Sequence, residues 1–94
     1  MIEIPLIAGA SNAHQTFSKL LGGRILYFTL NYITNEGPAW SLDVYDGELL
    51  IGGIMLEPGE VARHDVGIFT FTGDEVTLDN LGSANHLMWK HNDE

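Results

Sequence analysis

The chain has no cysteine in its 94 residues, and only four lysines and arginines against 13 aspartates and glutamates. Without cysteine there is neither a disulfide framework nor a thiolate metal site, and small extracellular domains more often need such a staple. A reducing cytoplasm is therefore the expected folding compartment. The shortage of cations argues against nucleic acid as a partner, because phosphate backbones are held mainly by Lys and Arg. Lys19, Arg24, Arg63 and Lys90 are scattered among the anions, and the formal charge of −9 also opposes attachment to an anionic membrane. Long apolar runs are missing too: Glu3 and Pro5 interrupt the N-terminal stretch, and nothing approaches the roughly 18 apolar residues of a membrane span. The expectation is a soluble chain that does not use the general secretory route.

Helical periodicity is the last absence. No window keeps apolar residues at i, i+3, i+4 and i+7 without a Gly or Pro breaking it, whereas period-two alternation recurs along the chain. Eleven glycines separate short runs rich in Val, Ile, Leu, Thr, Phe and Tyr. The expected fold is all-β: a small antiparallel β-sandwich or barrel of about seven strands, in one domain spanning residues 1–94. A chain of this length buries only about 60–65% of the surface its unfolded form exposes, which suffices for one core.

Turn residues fix three expected hairpins. Gly73-Asp74 would pair Phe71 with Val76 and Phe69 with Leu78. Asp46-Gly47, read as a type I′ turn, would set Val44 opposite Leu49, Leu42 opposite Ile51 and Trp40 opposite Gly53. Gly22-Gly23 joins Gln15–Leu21 to Arg24–Ile33 and brings Phe17 to Phe28, with Leu26, Leu30 and Tyr32 on the same face. The other face of that hairpin carries Leu20, Ile25, Tyr27 and Ile33, and a strand apolar on both faces lies between layers or in an interface. Terminal strands are expected at Ile2–Leu6 and His86–His91, and loops at Thr34–Pro38, Glu57–Glu60 and Asp79–Asn85. Gly52-Gly53, inside a strand pattern, marks a bulge or a close approach.

Chemistry finds no assembled constellation. His14, His64, His86 and His91 form no HxH or HxxxH pair, and the Asp43–Glu48 run lacks the alternating oxygen ligands of a calcium loop. Ser11, Ser18, Ser41 and Ser83 sit in no nucleophile elbow. Asp43, Glu48, Glu75 and Asp79 offer no sugar-shaped cleft for a glycosidase pair. No catalytic residue, metal or cofactor is expected. Trp40, Trp89, Tyr27, Tyr32 and Tyr45 would suit a sugar-binding platform, but both tryptophans fall on the apolar phase of their strands, which favours the core. A small carbohydrate- or peptide-binding β module is the alternative reading.

An ordered series of short motifs spans nearly the whole chain: Ile4-Pro5-Leu6, Gln15-Thr16-Phe17-Ser18, Leu30-Asn31-Tyr32, Trp40-Ser41-Leu42-Asp43, Leu50-Ile51-Gly52-Gly53, Gly67-Ile68-Phe69-Thr70-Phe71, Asp79-Asn80-Leu81-Gly82 and His86-Leu87. This series resembles the small phage baseplate plug family of contractile-tailed phages and prophages. The resemblance implies a β-rich virion protein, assembled in the host cytoplasm and built in several copies into the central tail baseplate. Its implied partners are tube, hub, wedge or sheath-proximal proteins, and repeated identical contacts between copies are expected to close a three- or six-fold ring. It implies no catalytic residue and no cofactor.

An assembly subunit needs exposed apolar surface for its neighbours and charge that suppresses premature association. Ile2, Ile4, Pro5 and Leu6 on the N-terminal strand, and Ile25, Tyr27 and Ile33 on the doubly apolar strand, are the candidate interface residues. Docking of Ile2–Leu6 on another subunit predicts that deleting residues 1–6 abolishes incorporation while the fold survives.

Overall fold

The computed structural model describes residues 1–34 and 39–94, so the expected loop at Thr34–Pro38 lies, beyond Thr34, outside the described residues. Those residues form eight strands: β1 (Ile2–Ile4), β2 (His14–Leu21), β3 (Arg24–Ile33), β4 (Ala39–Asp46), β5 (Glu48–Met55), β6 (Val61–His64), β7 (Gly67–Gly73) and β8 (Asn85–Lys90). They make two antiparallel sheets of four strands, in the orders β1-β8-β7-β6 and β2-β3-β4-β5. The all-β sandwich read from the alternation is the fold.

The core lies where the two sheets face each other. From the second sheet come Leu26, Phe28, Leu30, Trp40, Leu42, Val44 and Ile54, and from the first come Ile4, Phe69, Phe71, Leu87 and Trp89. Phe17 stacks on Phe28 with centroids 5.1 Å apart, and Phe28 meets Phe69 of the other sheet edge-on at 6.2 Å. Burying each large apolar side chain contributes about 1.5–3 kcal/mol, and an edge-to-face pair adds about 0.5–1.5 kcal/mol. Both indoles satisfy their N–H inside this core: Trp40 donates to the carbonyl of Thr77 at 3.1 Å and Trp89 to that of Val66 at 3.2 Å.

The β2–β3 hairpin has the register expected from its Gly22-Gly23 turn, with Phe17 opposite Phe28 and Leu21 opposite Arg24. The β4–β5 hairpin turns at the expected place in a different register. Only Gly47 takes a positive φ there, so Asp46 does not enter a type I′ turn. Tyr45 faces Leu49, Val44 faces Ile51 and Leu42 faces Ile54, with two register shifts between them. Trp40 lies across from Leu56, whose N–H it accepts at 2.9 Å, and not from Gly53. One shift is the expected irregularity at Gly52-Gly53, where Gly53 has φ +71° and its N–H points at the Asp43 carboxylate, 2.7 Å away; the other falls at Leu50, and the turn itself pairs Asp46 with Glu48 across Gly47 alone. Inserted residues of this kind bend a strand and slip its register.

The expected Gly73-Asp74 hairpin is not formed. β7 pairs instead with β8, Phe71 opposite Leu87 and Gly73 opposite Asn85, while its other side takes β6. Residues 74–84 form an irregular segment that caps the end of the sandwich, with Leu81 buried and Val76 and Leu78 packed against the core. Their alternation imitates a strand, but the segment is held by side chains. Asn80 accepts the Thr77 N–H at 2.6 Å and donates to the Glu75 carbonyl at 2.8 Å. Fully buried Asn85 accepts the Gly82 N–H at 2.8 Å. The short edge strand β6 was not expected, because Val61-Ala62-Arg63-His64 has no apolar phase to announce it.

Candidate interaction surfaces

β3 explains its own double apolarity. Leu26, Phe28 and Leu30 face the core, and the alternate residues point away from it with no layer above them among the described residues. On that outer face Leu20 lies opposite Ile25, Tyr27 lies between Ser18 and Tyr45, and Tyr45 lies opposite Leu49. Leu20, Ile25, Tyr27 and Leu49 are 60, 50, 52 and 54% exposed. Apolar side chains this open, side by side in adjacent rows, mark an interaction surface more than scattered single residues do. The patch sits at the end of the sheet that carries the Gly22-Gly23 turn, and the Arg24–Asp46 ion pair lies beside it.

The outer face of the first sheet has a different character. One cross-strand row runs Glu3, Met88, Thr70, Val61, and the next runs Lys90, Ile68, Arg63. Ile68 is only 6% exposed yet stands apart from the core cluster, so it is covered on the outer side of the sheet. Long Lys and Arg stems are suited to such cover, lying along apolar neighbours while their charged ends stay in water. His86 on β8 meets Glu3 on β1 at 2.7 Å and ties the edge strand down.

The seven residues singled out from the sequence do not form one surface. Ile25 and Tyr27 belong to the exposed patch, while Ile33 is half-buried toward the other end of β3. Ile2 and Pro5 are exposed beside the first sheet, and Leu6 is half-buried against the core. Ile4 is a core residue, 1% exposed and opposite Leu87. Removal of residues 1–6 therefore takes away a strand and part of the core, so a surviving fold is not the outcome to expect of that truncation. Leu49 and Tyr45 were missed. The expected register turned Leu49 inward, but the turn pairs Asp46 with Glu48 across Gly47 alone and so sets Leu49 opposite Tyr45 on the outer face.

Among the described residues no group of three or more His, Cys, Asp or Glu side chains converges on a metal-sized space. His14 bonds Asn31, His64 accepts the Val66 N–H at 3.2 Å, and His91 packs edge-on against Trp89 at 4.7 Å. Trp40 and Trp89 are buried, so the aromatic sugar platform loses both of its tryptophans. A surface hollow of about 450 Å³ is lined by Glu57, Pro58, Glu75 and Val76 where the 57–60 turn meets the capping segment.

The family model for cyanophage baseplate Pam3 plug gp18 matches residues 1–92. No curated protein matches the chain at a significant level.

Proposed function

The chain belongs to the phage baseplate plug family, and from that premise we propose that it fills or seals the central part of a contractile tail's baseplate around the tail axis. A structural role in the virion tail follows from the family itself. The finer reading is that the outer face of the second sheet docks on a tube, hub, wedge or sheath-proximal protein, and that copies repeat around the axis in a three- or six-fold ring. The exposed patch of Leu20, Ile25, Tyr27 and Leu49 supports it. Covering apolar area of this kind contributes about 25 cal/mol per Å² removed from water, and a free subunit gains nothing from leaving it open. Acidic charge over the rest of the surface keeps the free subunits dispersed before assembly.

Protein identification on purified virions tests the location, and the double substitution Leu20→Ser/Ile25→Ser tests the docking face. Both side chains are at least half exposed, so the variant is expected to fold with stability changed by less than about 0.5 kcal/mol. Its incorporation into particles should fall at least tenfold, roughly the effect of losing apolar burial at two interface positions. Normal incorporation of a folded variant would reject this face, while absence of the chain from virions would reject the location.

A further inference from the structure

The cations of this chain are confined to one end of the sandwich, which also carries Asp46, Glu48 and Asp65. Lys19, Arg24, Arg63 and Lys90 all lie in the half that closes at the Gly22-Gly23 turn, near the end of β8. A side chain added at Gly22 would strike His91 and Trp89, which ties that turn to the β8 end. The opposite end, built from residues 57–60 and the 74–84 segment, carries Glu57, Glu60, Asp74, Glu75 and Asp79 and no Lys or Arg. The β6–β7–β8 row places Arg63 and Lys90 on either side of Ile68, with about 10 Å between their backbones, two strand spacings. No carboxylate among the described residues pairs with either cation.

We propose that copies of this chain bind one another head to tail, the outer face of the first sheet around Arg63 and Lys90 receiving the acidic end around Glu57 and Glu75 of the next copy. Two subunits of charge −9 repel in most orientations, and this one sets the unpaired cations of one copy against carboxylates of the other. Apolar groups accompany the charge on both sides: exposed Val61 on the sheet face, Pro58 and Val76 in the hollow of about 450 Å³ between the two glutamates. The contact joins two different surfaces, so it repeats around a closed ring or along an open chain. In that respect it rests on the ring proposed above and names the surfaces that would build it.

Charge reversal on each surface separately, Arg63→Glu/Lys90→Glu and Glu57→Arg/Glu75→Arg, provides the test, read by sedimentation velocity of the full chain. The wild type should associate at low ionic strength and dissociate in about 0.5 M salt, where the screening length falls to about 4 Å. Each variant alone should associate at least about tenfold more weakly, and an equimolar mixture of the two should restore association. Circular dichroism of each variant establishes that it is folded. A monomeric wild type at every concentration, association that strengthens with salt, or a mixture of folded variants that stays monomeric would overturn the proposal. The virion assay of the second-sheet face is independent of these readings, so failure of one leaves the other standing.

Discussion

In the second sheet every neighbouring pair of strands is also consecutive in the chain, whereas the first sheet joins β1 to β8, residue 2 opposite residue 89, and carries the 74–84 segment between β7 and β8. In the meander β2-β3-β4-β5 no more than five residues separate one strand from the next, so each closure restrains little chain. The β1–β8 pair of the first sheet closes across most of the chain, and long-range closure costs entropy that local turns do not. It is held by what its side chains do at a distance. Trp89 reaches the Val66 carbonyl, Asn85 organises the capping segment, and His86 meets Glu3. The same division appears on the outer faces, apolar over the meander and cationic over the long-range sheet. One sheet is thus a self-contained scaffold, and the other is a seam that brings the two ends of the described chain together.

The largest effect is expected from breaking the seam. Trp89→Ala removes a buried indole and its hydrogen bond, at a cost of about 3–5 kcal/mol. That is a large part of the 5–15 kcal/mol that typically stabilises a domain. Phe17→Ala, on the half-buried edge of the meander, should cost about half as much. Denaturant unfolding followed by far-ultraviolet dichroism measures both. Equal losses would erase the distinction between the two sheets.

Asn85→Ala is the next step down. Its side chain is fully buried and accepts the Gly82 N–H while donating toward the Asp74 carbonyl at 3.4 Å. Alanine leaves those backbone groups unsatisfied, for a loss of about 1–3 kcal/mol. Amide exchange should accelerate at Gly82 and through the 74–84 segment while β2 and β3 keep their protection. Uniform acceleration would mean that the segment and the meander open as one unit.

The meander and the seam also differ in what the sequence reveals. A two-glycine turn and two alternating runs determine the β2–β3 pairing, because shifting it by one residue would move Phe17 and Phe28 out of the core. The β7–β8 pairing has no such local signal. Gly73-Asp74 has the composition of a turn, and Val76 and Leu78 have the spacing of a strand, yet both reach the core from an irregular segment whose shape depends on Asn80 and Asn85. The apolar run Ile2–Leu6 carried too little pattern to separate Ile4, a core residue, from Ile2, an exposed one. Ile25 and Tyr27 were legible as outward because their strand is apolar on both phases. Leu49 was not, since its direction follows from a turn that pairs Asp46 with Glu48 across Gly47 alone, ahead of the bulge at Gly53.

That bulge supplies the smallest prediction and sharpens the account of the meander. Asp43 accepts the Gly53 N–H with a carboxylate oxygen, and Gly53 holds a left-handed conformation with open space where a side chain would stand. Asp43→Ala should cost about 1 kcal/mol, the worth of a partly solvated hydrogen bond. Gly53→Ala should cost a similar amount, about 1–2 kcal/mol, through its positive φ alone, because no atom obstructs the added methyl. Both substitutions act on one local conformation, so the double variant is expected to lose less than the sum of the two. Relaxed coupling would also let the far end of β5 slide by one residue, so that Leu42 meets Gly53 while Val44 stays opposite Ile51. Cross-strand contacts in nuclear magnetic resonance spectra distinguish the two registers: Leu42 close to Ile54 in the native pairing, close to Gly53 in the slipped one. Full additivity with the native contacts intact would show that the register is held by the packing of Ile54 and Leu56 against the core, with the Asp43 hydrogen bond only following it.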